Sequence, residues 1–120
     1  MALAAKLQLR PGQSVALANT PAGFEGDDLT EHPEAPATRA DLVLVFAADG
    51  KQLTAEAQDL VSAAQRGALT WVAYPKAGKL DTDLNRDKLR ESVAEHGLDT
   101  VRQVALDDTW SALRLKPTAT

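Results

Sequence analysis

The residues with chemical potential gather between positions 74 and 89, in the run YPKAGKLDTDLNRDKL. Lys76, Lys79 and Arg86 supply cations there, and Asp83 and Asn85 supply short polar side chains beside an expected helix start. A helix start offers free amides and the positive end of a dipole, so cations next to it suit a phosphate or carboxylate. The expected ligand is a nucleotide or another small anion. A purely structural reading covers many of the same residues. Thr82 or Asp83 can cap the helix, and an acid in the first turn complements its dipole. Asn85, Arg86 and Asp87 can tie the loop to the C-terminal segment, and Asp81, Asp83 and Asp87 oppose an anion. Lys76 and Lys79 are the two that capping does not need. The candidate ligand-binding set is therefore Lys76, Lys79, Asp83, Asn85 and Arg86.

Other constellations carry less. Adjacent acids such as Asp107 and Asp108 can share a proton or hold a divalent cation. In a short connection they more often favour the turn itself, and no third ligand accompanies them. His32 and His96 are isolated. GFEGDDL, residues 23 to 29, is not a calcium loop, and no G-x-x-x-x-G-K phosphate loop occurs. No Ser-His-Asp set assembles. No metal site is expected, and no catalytic residue emerges.

These side chains need a scaffold. The chain has 120 residues, with 44% apolar and 25% charged, which fits one soluble globular domain over residues 1–120. It has no cysteine, so disulfide and thiolate chemistry are excluded and a reducing cytoplasm is the expected compartment. No apolar run approaches the roughly 18 residues of a membrane span. The opening MALAAKLQLRPGQ lacks the apolar core and cleavage pattern of a signal peptide. A net charge of −4 argues against a broad nucleic-acid footprint. The expected partner is a protein or a small anion.

Along the chain, residues 2 to 9 fit a short helix, with Leu3 and Leu7 on one face, ended by Pro11-Gly12. SVALAN, Ser14 to Asn19, reads as a buried strand. Residues 20 to 40 hold three prolines and five acids against Arg39, and read as an irregular acidic connection with one helical turn. ADLVLVFA, residues 40 to 47, is a continuous apolar strand of the kind covered on both faces. Asp49-Gly50 turns the chain. A helix then follows Thr54 as N-cap, with Leu53, Ala57, Leu60, Val61 and Ala64 at helical spacing and Gly67 as its stop. ALTWVAY, residues 68 to 74, is the next strand. Leu89 and Val93 mark another helix, stopped by Gly97. Residues 101–106 and 111–116 flank Asp107-Asp108-Thr109 and must pair antiparallel.

Strands alternating with helices predict an α/β fold, parallel in the centre, with a C-terminal antiparallel hairpin. ADLVLVFA, QRGALTWVAYPK and the terminal hairpin resemble the later part of a class I, Rossmann-like methyltransferase. That resemblance implies a small three-layer sandwich. It also implies the strand order first, Asp41 strand, Trp71 strand, last, with the Val101 strand at the edge. LRPGQSVALANTPAGF, ALTWVAYPKAGKLDTDLNRDKL and VRQVALDDTWSALRLKP together resemble a small bacterial domain family of unknown function. Against the methyltransferase pattern stands NTPAGF, the segment after the first strand. It holds one glycine, Gly23, where close approach to S-adenosylmethionine needs several, and Pro21 removes an amide donor. No cofactor is therefore expected. Three readings remain: a non-catalytic, degenerate Rossmann-like binding or interaction domain; a nucleotide or small-anion site; and a residual S-adenosylmethionine-dependent methyltransferase.

Overall fold

The computed structural model describes residues 3–24, 26–76 and 82–118. Its elements in chain order are α1 (Leu3–Lys6), β1 (Val15–Ala18), β2 (Leu42–Phe46), α2 (Gly50–Gln65), β3 (Leu69–Pro75), α3 (Arg86–Ala94), β4 (Leu98–Ala105) and β5 (Trp110–Pro117). A 3₁₀ turn, Asp27–Glu31, lies in the acidic connection, where the sequence places one helical turn.

The strands form one mixed sheet in the order β1-β2-β3-β5-β4. This is the predicted neighbour order. β1 pairs parallel with β2, and β2 parallel with β3. β5 then runs antiparallel to β3, and β4 antiparallel to β5. The middle strand of the five, β3, is thus parallel on one side only. The hairpin inserts beside it, so parallel pairing is confined to the β1–β2–β3 half.

All five residues of β2 are buried, because successive side chains enter opposite packed faces. Val43 and Val45 join Leu53, Leu60, Ala63 and Ala64 of α2 and Leu89 and Val93 of α3. Leu42, Leu44 and Phe46 join Leu3 and Leu7, Leu29, Trp71 and Trp110. On that second face Phe46 meets Phe24 and Trp110 edge-on, with ring centroids 4.9 and 5.2 Å apart. The Trp71 indole N–H donates to the Leu7 carbonyl at 3.1 Å, which fastens the N-terminal segment to the sheet.

Local rules place the ends with some differences from expectation. α2 begins at Gly50, four residues before the expected cap at Thr54. Asp49 is the N-cap, and its carboxylate accepts from the Gln52 N–H at 2.9 Å. The Thr54 hydroxyl donates to the Gly50 carbonyl, inside the first turn. β4 carries a bulge between Thr100 and Arg102, so Val101 has no partner across the ladder and is 50% exposed. The acidic connection also does more than cross the surface. Val15 donates to the Pro33 carbonyl and Ala35 donates to the Val15 carbonyl, a parallel bridge that covers the first residue of β1.

Candidate functional site

The end of β3 and the start of α3 face each other across the carboxyl side of the sheet. Tyr74 and Pro75 close the buried run of β3, and the Lys76 N–H donates to the Thr109 carbonyl of the hairpin turn at 2.8 Å. That turn is braced by Asp107, whose carboxylate accepts from the Thr109 and Trp110 N–H groups, each at 2.8 Å. Asp107 therefore serves the turn, and among the described residues no group of three acid or histidine side chains is placed to hold a metal.

α3 starts at Arg86, capped by Asn85, whose side chain accepts from the Lys88 N–H at 2.9 Å. The cap is thus neither Thr82 nor Asp83. Those two are engaged with the loop after β2. The Thr82 hydroxyl donates to the Ala48 carbonyl at 2.7 Å and accepts from the Leu84 N–H. Asp83 accepts from the Gly50 N–H at 2.9 Å, at the start of α2. Asp83 spends its carboxylate on a neighbouring helix, so it does not line the same recess as the other candidates.

That recess, of about 400 Å³, is lined by Tyr74, Lys76, Asn85, Arg86, Gln103 and Ser111. Three of the five sequence candidates come together there, namely Lys76, Asn85 and Arg86. Lys79 lies outside the described residues. Among those that line the recess there is no carboxylate, and Lys76 and Arg86 are its charges. The Arg86 guanidinium donates to Gln103 Oε1 at 3.4 Å, and Gln103 Nε2 donates to the Tyr74 hydroxyl oxygen at 3.1 Å. Burial raises the Tyr74 phenol above its ordinary value of 10.0, and the Arg86 charge pulls it partly back by favouring the phenolate. A neighbouring recess shares Arg86 and Gln103 and adds Arg90 and Arg102, with Asp87. Arg90 is itself turned toward Asp99, 3.9 Å away.

A family model described as a protein of unknown function (DUF3052) matches residues 6–119. The chain belongs to the DUF3052 family. No curated protein matches it. Membership agrees with the resemblance drawn from the Tyr-Pro-Lys, Thr-Asp-Leu-Asn-Arg-Asp and Asp-Asp-Thr-Trp-Ser-Ala-Leu runs.

In this DUF3052 chain, Tyr74, Gln103 and Ser111 are the recess residues that inspection of the sequence passes over. Ser111 enters because it lies opposite Tyr74 in the β3–β5 ladder. Gln103 enters because β4 flanks β5. Strand pairing brings Ser111 and Gln103 near Lys76 with no local spacing to signal it, whereas Tyr74 stands only two residues before Lys76 in the chain.

Proposed function

We propose that the protein is a non-catalytic, Rossmann-like binding domain that holds a small anion, such as a phosphate or the phosphate of a nucleotide, in the recess between β3 and α3. The observation that carries this reading is the charge of that recess. Lys76 and Arg86 line it without a carboxylate among the described lining residues. Of the three acids that would oppose an anion, Asp83 is drawn away to the Gly50 amide, Asp87 lines the neighbouring recess instead, and Asp81 lies outside the described residues. The start of α3 beside Asn85 and Arg86 adds the positive end of a nine-residue helix. Arg86 offers a planar fork and Lys76 a mobile point charge, a combination suited to phosphate oxygens.

The non-catalytic part of the reading is supported by the segment after β1. Phe24 is anchored on Phe46 in the aromatic cluster, and its N–H closes a turn onto the Pro21 carbonyl. A bulky anchored side chain stands where a methyltransferase keeps glycines for its cofactor. In this reading helices cover a small central sheet as in a three-layer Rossmann-like sandwich, working in the cytoplasm.

Thermal denaturation with inorganic phosphate, nucleotides and S-adenosylmethionine tests it. A ligand at a hundred times its dissociation constant stabilises by about 2.7 kcal/mol. Phosphate or nucleotide is expected to stabilise the native chain, and Lys76→Ala and Arg86→Ala to remove most of that gain. Stabilisation by S-adenosylmethionine instead would revive the methyltransferase reading. No response to any of them would leave the recess without the proposed role.

A further inference from the structure

We propose a second ligand site, independent of the anion recess: a groove beside β1 that binds a small organic cation with a flat apolar body. The groove exists because of how β1 connects to β2. α2 packs over β2, β3 and β5. The chain between β1 and β2 forms a 3₁₀ turn and irregular backbone, so among the described residues no α-helix follows β1 to pack beside α2 on that face. A slot of about 490 Å³ is left there.

Its floor is one face of two paired strands, with Ala16 beside Val43 and Ala18 beside Val45. These are small side chains, so the slot is deep enough for a ring to lie against them. Its volume is within the range of about 300–1,000 Å³ typical of small-molecule sites. The charges that line it are of one sign. Glu34 of the connection and Asp59 of α2 are both exposed, and the described lining holds no Lys or Arg. Neither carboxylate takes part in an ion pair among the described residues.

His32 adds a third acceptor. Its Nδ1 lies 2.9 Å from the Gln13 carbonyl. A carbonyl only accepts, so Nδ1 carries the proton, and in the neutral ring Nε2 is left as an acceptor. Apolar floor and acceptor-rich rim together select an amine carried on an apolar body. A neutral body gains nothing from the two carboxylates, and an anion is repelled by them.

Amide chemical shifts of the full chain titrated with tryptamine, tryptophol and indole-3-propionate test the proposal. The three share an indole and differ in charge. Tryptamine is expected to shift the amides of Leu17 and Ala35 and their neighbours in a saturable way, with tryptophol weaker and indole-3-propionate silent. Asp59→Asn, at an exposed helix position, should weaken tryptamine about fivefold or more by removing one charged partner. Ala18→Leu should abolish the response by filling the slot, its fold being checked from the same spectra. The idea is overturned if tryptophol or indole-3-propionate binds as well as tryptamine. It is equally overturned if Asp59→Asn leaves tryptamine affinity unchanged, or if no localised shifts appear at millimolar tryptamine. Phosphate response at Lys76 and Arg86 is a separate measurement, so either site can fail alone.

Discussion

Asp83 Oδ1 accepts a hydrogen bond from the Gly50 N–H at 2.9 Å, joining the loop before α3 to the first residue of α2. Asp49 caps the same helix end through Gln52. Two carboxylates therefore converge on one helix start, complementing its dipole and its unpaired amides. Asp83→Ala should lower stability by about 0.5–2 kcal/mol, the usual cost of a lost cap. Urea denaturation measures this. Its phosphate response at equal folded fraction should match the native chain's. A lost phosphate response with unchanged stability would move Asp83 into the binding site.

Tyr74 offers an optical reporter of the recess, because it is the chain's only tyrosine. Its phenol is raised by burial and lowered by Arg86. Arg86→Gln should move the phenolate absorbance midpoint further upward, since it removes the charge that favours ionisation. A bound anion that neutralises Arg86 should move it the same way. An unchanged or lower midpoint in Arg86→Gln would show that Arg86 does not act on this phenol.

The same shift sets a pH dependence. The folded phenol is raised above its unfolded value, so its contribution to stability is complete below the unfolded midpoint of about 10. It is lost as pH climbs from there through the folded midpoint. Urea midpoints should therefore fall more steeply above that pH in the native chain than in Tyr74→Phe. Parallel curves would contradict the assignment.

Trp71 joins the sheet to the N-terminal segment through the Leu7 carbonyl. Trp71→Phe leaves that buried acceptor unpaired, a cost of about 1–3 kcal/mol before any loss of packing. Amide exchange should accelerate around Leu7 and Leu9 more than across the β3–β5 ladder. Uniform acceleration would mean that the indole supports the whole core rather than that one attachment.

Asp107 accepts from two backbone amides of the hairpin turn. Asp107→Ala should raise amide exchange at Thr109 and Trp110 selectively, whereas Asp108→Ala should leave those two amides as they are. Because Lys76 donates to the Thr109 carbonyl, the first substitution should also weaken phosphate binding modestly. If the two variants behave alike, the turn is held by its backbone rather than by Asp107.

Much of the scaffold was legible from local chemistry. The unbroken apolar run of β2 announces a strand packed on both faces, and its five buried residues follow. The helical spacing of Leu53, Ala57, Leu60, Val61 and Ala64 announces α2, and all are buried except Val61, which is half-buried against the same core. The acids between the last two strands announce a tight turn. Caps were less legible. Thr54, Thr82 and Asp83 all have the chemistry of an N-cap, but Asp49 and Asn85 hold those positions. Several short polar side chains lie near each helix start, and which one caps depends on where the preceding strand releases the chain.

The amino-acid sequence by itself determined the alternation of strands and helices, the closing hairpin and the placing of Lys76, Asn85 and Arg86 just beyond a buried strand. Those features rest on periodicity and on turn chemistry, which act over a few residues. Tertiary structure alone decided that Asp83 leaves for Gly50, that Gln103 and Ser111 join the cations, and that β1 is left with an open slot beside Asp59. Each of these depends on contacts between residues far apart in the chain. Pairing and packing set them, and no local pattern records them.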